Sequence, residues 1–169
     1  MTAVGQVKRA VAAAIKAAGC AAIESYSEEQ LKRYATAVAA VGTKETVIEE
    51  SGAIEYLGEK VDEMTQEMVA VYGRKMLLTL LIEVYAPRTM GAAGCEEAAE
   101  TITQAMMTAL PEGLKLRTLQ WGKTGWDKTT GIFRLDASAK YAAYFVAEAA
   151  EDGTVFTDFV LKGTVKERE

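Results

Sequence analysis

The sequence predicts an α+β fold: a mostly antiparallel sheet with two principal helices packed on one face. Residues 4–18 and 95–109 place apolar side chains three and four apart, the spacing of one helical face. Residues 132–147 alternate apolar and polar side chains with a period of two, as in a half-buried strand. The helices do not follow each strand in turn, and this order favours antiparallel pairing.

Length and charge set the broad class. A chain of 169 residues fits one domain, 1–169, which would bury roughly 70% of its unfolded surface. The net charge of −5 and the lack of a concentrated basic surface argue against sequence-specific nucleic-acid binding. The densest apolar run, 76–82, is too short to span a membrane, and Lys16 interrupts the only signal-like segment. We therefore expect a cytoplasmic, soluble protein.

The chain contains no histidine, and it has two cysteines without metal-type spacing. Histidine is the commonest general base near neutral pH and the commonest transition-metal ligand. We therefore expect reduced thiols, no metal and no cofactor, and any catalysis would have to rest on carboxylates, Lys, Tyr or Cys.

In the first half of the chain, Gly19 is placed to end the first helix in a left-handed conformation. The sequence Ser27-Glu-Glu-Gln30 has the form of a capping box, which predicts a short helix over 28–33. Residues 37–41 and 46–48 suggest two strands around a turn at Gly42. Residues 52–72 fit either a helix or a strand, and residues 74–85 predict a central strand that ends at Pro87.

In the second half, Pro111 and Gly113 close the second helix, and residues 114–119 predict a strand that runs to Gly122. Residues 123–131 look like a loop. After the long strand 132–147, Asp152-Gly153 marks a turn, and residues 155–165 would return as the second strand of a hairpin.

The segment 87–100 raises the question of a reactive site, because Gly91, Gly94 and Cys95 precede the helical pattern. Backbone approach to a phosphate or a reactive thiol at a helix start would each have a mechanism. A phosphate loop, however, needs Lys-Ser/Thr after the second glycine, where this chain has Cys95-Glu96-Glu97, and the two carboxylates would oppose both functions. We expect a structural helix start, with the two glutamates in its first turn.

Other candidate groups have a structural and a functional interpretation. The acidic residues of the run 45–67 suggest a solvated surface, a basic partner or an acidic channel more readily than a carboxylate pair: Glu45, Glu49, Glu50, Glu55, Glu59, Asp62, Glu63 and Glu67. Trp121 and Trp126 could stack a ligand, anchor an interface or pack in the core. The methionines at 64, 68, 106 and 107 are expected to fill the core.

Much of the predicted structure is extended, and exposed strand edges invite pairing with another chain. This favours assembly over catalysis. A small-molecule-binding or enzymatic domain, with Trp121, Trp126 and Tyr141 lining a pocket beside carboxylates, is the contrasting hypothesis.

Several segments also carry a family resemblance. These are Leu31-Lys-Arg-Tyr34, Ala37-Val-Ala-Ala-Val-Gly42, Tyr72-Gly-Arg74, Leu78-Thr-Leu-Leu-Ile-Glu-Val-Tyr-Ala-Pro87, Gly91-Ala-Ala-Gly-Cys-Glu-Glu97 and Phe156-Thr-Asp-Phe-Val-Leu-Lys-Gly163. Together they resemble small tail-assembly proteins of Gram-positive prophages, the tail terminator or tail-completion type of long-tailed phages. The resemblance covers most of the chain.

The resemblance implies a non-enzymatic α+β subunit that forms a ring, usually a hexamer, at the head-proximal end of the tail tube. Its expected partners are copies of itself, the tail tube protein and the head–tail connector, in the bacterial cytoplasm during assembly and then in the virion tail. A head-completion, neck or minor tail protein is the alternative within the same particle. An acidic lumen through which DNA slides would suit the run 45–67, since like charge opposes phosphate binding.

Overall fold

The computed structural model describes residues 3–24, 33–51 and 55–147. Two helices and seven strands follow one another along the described chain: α1 (Ala3–Ala17), β1 (Ala21–Ile23), β2 (Val38–Glu49), β3 (Tyr56–Val61), β4 (Met68–Ala86), α2 (Gly91–Thr108), β5 (Lys115–Trp121), β6 (Gly125–Asp127) and β7 (Ile132–Ala147). The fold is α+β, as the sequence predicts.

The strands form one sheet in the order β1-β2-β4-β7-β5, with β3 beside the start of β4 and β6 beside the start of β7. Every pair is antiparallel except β1 with β2. The short parallel strand β1 was not predicted from sequence, because three residues carry too little pattern. The long strands β4 and β7 pair along 15 residues, from Tyr72 opposite Ala147 to Ala86 opposite Phe133, and form the centre of the sheet.

Both helices pack on the same face of the sheet, as predicted. The apolar stripe of α1, including Val7, Val11 and Ile15, meets Ile102 and Met106 of α2 over the inward-facing side chains of the central strands. Those strand residues share one face and are buried: Ala39, Val41, Met76, Leu78, Leu80, Ile82, Val84, Leu135, Ala137, Ala139, Tyr141 and Ala143. We call this the helix-covered face. We call its opposite the open face because neither α1 nor α2 packs on it, although Val38, Ala40, Tyr85 and Ile132 form a smaller buried cluster there.

The prediction of two strands around Gly42 was wrong. Residues 38–49 form one strand, with a bulge between Thr43 and Glu45 where its register with β4 shifts. The β-branched residues on both sides of Gly42 favour extended backbone, and the long partner β4 supplies hydrogen bonds along the whole length. The bulge absorbs the extra residue without ending the strand.

The ambiguous stretch 52–72 becomes a hairpin in its described part, so the central strand begins at Met68 and is longer than predicted. At the turn, the Asp62 carboxylate accepts hydrogen bonds from the backbone N–H groups of Met64 (2.7 Å) and Thr65 (3.1 Å). These bonds lower the pKa of Asp62, and they give the backbone N–H groups of the turn hydrogen-bond acceptors within the turn itself. A helix over the same residues would have lost this pairing with β4.

The second helix, β5 and β7 confirm the sequence pattern. The stretch 123–131, expected to be a loop, instead contains β6 and a tight turn at 128–131. Gly19 has a φ of +94° after α1, which confirms its predicted left-handed conformation. The predicted helix 28–33 lies outside the described residues except for Arg33, and the predicted turn at Asp152-Gly153 and strand 155–165 lie wholly outside them.

Within the described part of the chain, neither helix combines the length and apolar character needed to cross a membrane.

Candidate interaction surface

The glycine–cysteine segment forms the beginning of helix α2 instead of preceding it. Because α2 starts at Gly91, its first turn holds no acidic residue, and Glu96 and Glu97 fall in the second turn. The expectation that both glutamates occupy the first turn was therefore wrong. The helix begins earlier than predicted and includes Gly91-Ala-Ala-Gly94. Gly91 has a φ of +67°, which a residue without Cβ adopts easily.

Cys95 is fully buried against β4, with its Sγ 3.8 Å from the carbonyl oxygen of Val84. Burial raises the pKa of its thiol to about 11, outweighing a backbone hydrogen bond at Ala86 that lowers the pKa, and Glu96 raises it further. The thiol is therefore protonated at neutral pH and shielded from solvent, which fits a packing residue.

The three aromatic residues expected to line a pocket are directed to different places. The Tyr141 hydroxyl lies 3.1 Å from Met106 Sδ inside the core, and the indole of Trp121 donates to Thr103 Oγ1 at 3.0 Å. Trp126 is 44% exposed and makes an edge contact with Phe133. Only Trp121 contributes to an open groove between α2 and β5, whose other lining residues are Ala99, Glu100, Thr103, Gln104, Met107 and Thr108. Since the groove has one carboxylate, it lacks a converging pair of acids.

A charged cluster on the open face was missed by the sequence analysis. Arg134 donates to Glu83 at 2.5 Å and to both carboxylate oxygens of Asp136 at 2.7 and 2.9 Å. The Tyr85 hydroxyl also donates to Glu83, at 3.3 Å. The bond to Asp136 is the main cause that raises the pKa of Arg134. The signal in the sequence was Glu83 itself, a carboxylate inside the apolar run of β4. Because one guanidinium engages both carboxylates, the cluster holds strands together and offers no free acid or base.

Among residues 3–24, 33–51 and 55–147, no three Cys, Asp or Glu side chains converge as metal ligands would.

The most distinctive surface lies where the strands extend past the helices. We call this region the arm: residues 45–49 of β2, all of β3, the turn 62–67 and residues 68–74 of β4. It carries most of the strongly exposed large apolar side chains of the described chain: Val47, Ile48, Tyr56, Val61, Met64 and Met68. Met64 is 94% exposed at the turn. A concentration of exposed large apolar side chains in one region is a feature of protein interaction sites.

The arm corrects the expectation that the methionines fill the core. Of the four methionines in that prediction, only Met106 is buried, whereas Met64, Met68 and Met107 are 94%, 62% and 75% exposed. The spacing of residues 61–71 is compatible with a strand, and both faces of this part of the sheet lie beyond the ends of the helices. Its apolar side chains therefore have no cover from α1 or α2.

The arm is also acidic. Between residues 44 and 75 there are eight acidic and four basic residues, a net charge of −4. Two of the basic residues are paired within the arm or at its border, Arg74 with Glu55 at 2.6 Å and Lys75 with Glu49 at 3.8 Å. The remaining carboxylates project mostly into solvent, as the sequence predicts for a charged surface. The arm thus combines apolar contact area with negative charge.

The described residues thus form an α+β fold in which Cys95 and Tyr141 are packed in the core and the arm exposes apolar and acidic side chains. No protein-family model matches the sequence, and no curated protein matches it. Among solved structures, the chain is similar to one described as "Virion of native gene transfer agent (GTA) particle", with 16% identity and a TM-score of 0.42, over 85% of this chain and 99% of that one. A likeness this weak carries no functional conclusion.

Proposed function

We propose that the protein is a structural, non-enzymatic component of a phage tail: a ring protein that ends polymerisation of the tail tube and joins the tail to the head. It assembles in the bacterial cytoplasm and remains in the virion tail. Its partners are copies of itself, the tail tube protein and the head–tail connector.

The arm is the observation that supports this proposal most. Its turn exposes Met64, and Val61 and Met68 pair directly beside it, so three apolar side chains lie at the far end of the hairpin. Methionine side chains adapt their shape to a partner surface. The family resemblance over most of the sequence supplies the kind of partner, a tail tube end or a connector.

A deletion of the gene in its phage or prophage tests the function directly. We expect tails of uncontrolled length that fail to join heads, measured by electron microscopy of the lysate. Tails of normal length would contradict the proposal. Uniform tails without heads would instead support the alternative of a neck or head-completion protein.

The arm is tested by complementing that deletion with the double variant Met64→Ser, Met68→Ser. Since both side chains are exposed, folding should be nearly unchanged while tail completion falls at least tenfold. Met107→Ser, an equally exposed methionine on α2, is the matched control and should complement fully. Full complementation by the double variant would show that the arm tip does not take part in the tail contact.

A further inference from the structure

Among the described strands, the sheet has two edges without a full partner strand, one at each end of the strand order. Strand β1 pairs with β2 only from Val38 to Ala40, and within the described chain no strand lies beside the outer edge of β2 from Val41 onward. At the other end of the strand order, the outer edge of β5 likewise has no partner among the described residues. Unpaired edges of this length are templates for β-augmentation.

The two open edges lie at the same level of the sheet. The ladders connect Val41 to Ile82, Ala137 and Trp121 in turn, and they connect Val47 to Leu77, Ala142 and Lys115. The segment of β5 from 115 to 121 therefore spans the same height as the open segment of β2 from 41 to 47. A neighbouring copy displaced sideways, with no shift along the strands, would bring these two segments together.

The strand directions also fit. The strands β2, β4, β7 and β5 alternate in direction, so β5 runs opposite to β2. When a second copy is placed beside the first by rotation about an axis along the strands, β5 of one copy lies antiparallel to β2 of the next. The antiparallel alternation then continues across the joint.

Charge distinguishes this pairing from the others. On the β2 edge, residues 44–49 contain Glu45 and Glu49 against Lys44, whereas β5 contains Lys115 and Arg117 and no acidic residue. On the open face, Lys115 lies level with Val47, between the levels of Glu45 and Glu49. Like charges oppose β2–β2 and β5–β5 contacts, and opposite charges favour β2–β5.

We infer that β5 of one copy pairs with residues 41–47 of β2 in the next copy, in a head-to-tail contact that extends the sheet from subunit to subunit. The inference rests on the proposed function, for which it supplies the subunit contact of the ring. A head-to-tail contact uses two different surfaces, so it closes into a cyclic ring when the rotation per subunit permits.

Charge reversal tests the pairing, using sedimentation velocity of the full chain at low ionic strength and high concentration. We expect wild-type protein to self-associate, and Glu45→Lys with Glu49→Lys, or Lys115→Glu with Arg117→Glu, to weaken association roughly tenfold or more. An equimolar mixture of the two double variants should assemble again, because each edge then meets its opposite charge in alternation. Glu96→Lys with Glu97→Lys, on the exposed surface of α2, controls for net charge.

Three results would overturn the inference: a monomeric wild type under these conditions, a mixture that stays monomeric, or a β5 variant that assembles like wild type. The last result would instead indicate a symmetric β2–β2 contact.

A cross-link between separate chains gives an independent readout. Protein carrying Val47→Cys is mixed with protein carrying Thr118→Cys and treated with a short bismaleimide, since Cys20 and Cys95 are buried. We expect a covalent dimer that contains one of each chain, and none when Thr108→Cys on α2 replaces Thr118→Cys. Absence of that dimer contradicts the pairing even if the deletion mutant has uncontrolled tails, whereas the dimer together with normal tails would contradict only the proposed function.

Discussion

Gly94 shows how a single absent methyl group determines the approach of α2 to the sheet. A Cβ at this position would lie 2.6 Å from the Cβ of Met90 and 3.3 Å from that of Ala86. The backbone at Gly94 is helical and carries no positive φ. Close packing against Met90 and Ala86, and not a special backbone conformation, is therefore the reason for glycine at this position.

We expect Gly94→Val to lower the free energy of unfolding by about 1–3 kcal/mol, because the β-branched side chain forces Met90 and α2 away from β4. Ala93→Val is the matched control, since that neighbouring position is exposed and bears only the small helix-propensity cost. Thermal or urea unfolding measures both. Equal stability of the two variants would show that the corner tolerates the added volume.

At the scale of elements, the long periodic segments were predictable from the sequence, whereas short strands and the boundaries between elements were not. The helices and β7 each contain many residues that follow a single hydrophobic period, so one atypical residue does not obscure the pattern. The single strand through Gly42 was missed because glycine suggests a turn unless a partner as long as β4 is known. The strand β6 was missed for a similar reason, since Gly125–Asp127 is defined only by its pairing with β7.

The same limit applies to the candidate surface. The apolar residues of 61–71 were visible in the sequence, but their exposure was not, because it depends on where α1 and α2 end over the sheet. The burial of Cys95 and Tyr141 likewise follows from tertiary packing. The charges of the two sheet edges could be counted from sequence, whereas their shared level required the strand register.

We expect the arm to open more readily than the helix-covered half of the same strand. Amides of β4 from 76 to 86 lie under buried side chains, whereas those from 68 to 74 lie in the exposed hairpin, so the latter should exchange with deuterium at least about a hundredfold faster. Hydrogen exchange followed by mass spectrometry measures this. Uniform protection along β4 would show that the arm shares the cooperative core.

At the scale of the whole molecule, charge differs between the two edges of the sheet: the β2 edge is acidic and the β5 edge is basic. The acidic side includes the run 45–67, and the proposal of a ring gives that run a second use: lining a passage for DNA. Like charge would keep the phosphate backbone from adhering to the wall.

We expect Glu59→Lys, Glu63→Lys and Glu67→Lys together to slow DNA passage and lower infectivity about tenfold or more, because exposed lysines would hold phosphates. The three positions lie outside the β2 edge, so the pairing of subunits should be retained, and tail length is measured with DNA delivery because the same residues flank the arm tip. The corresponding Glu→Gln changes separate loss of negative charge from gain of positive charge. Normal DNA delivery by the lysine variant would exclude the lumen for these residues.

The incomplete cover that α1 and α2 give the sheet also has an evolutionary consequence. Residues beneath the helices are constrained by packing, so most substitutions there reduce stability. Residues of the arm contribute little to the core, and selection on them comes from the partner they contact. Related proteins should therefore keep a similar core while their arms diverge rapidly, each following the particle in which it assembles.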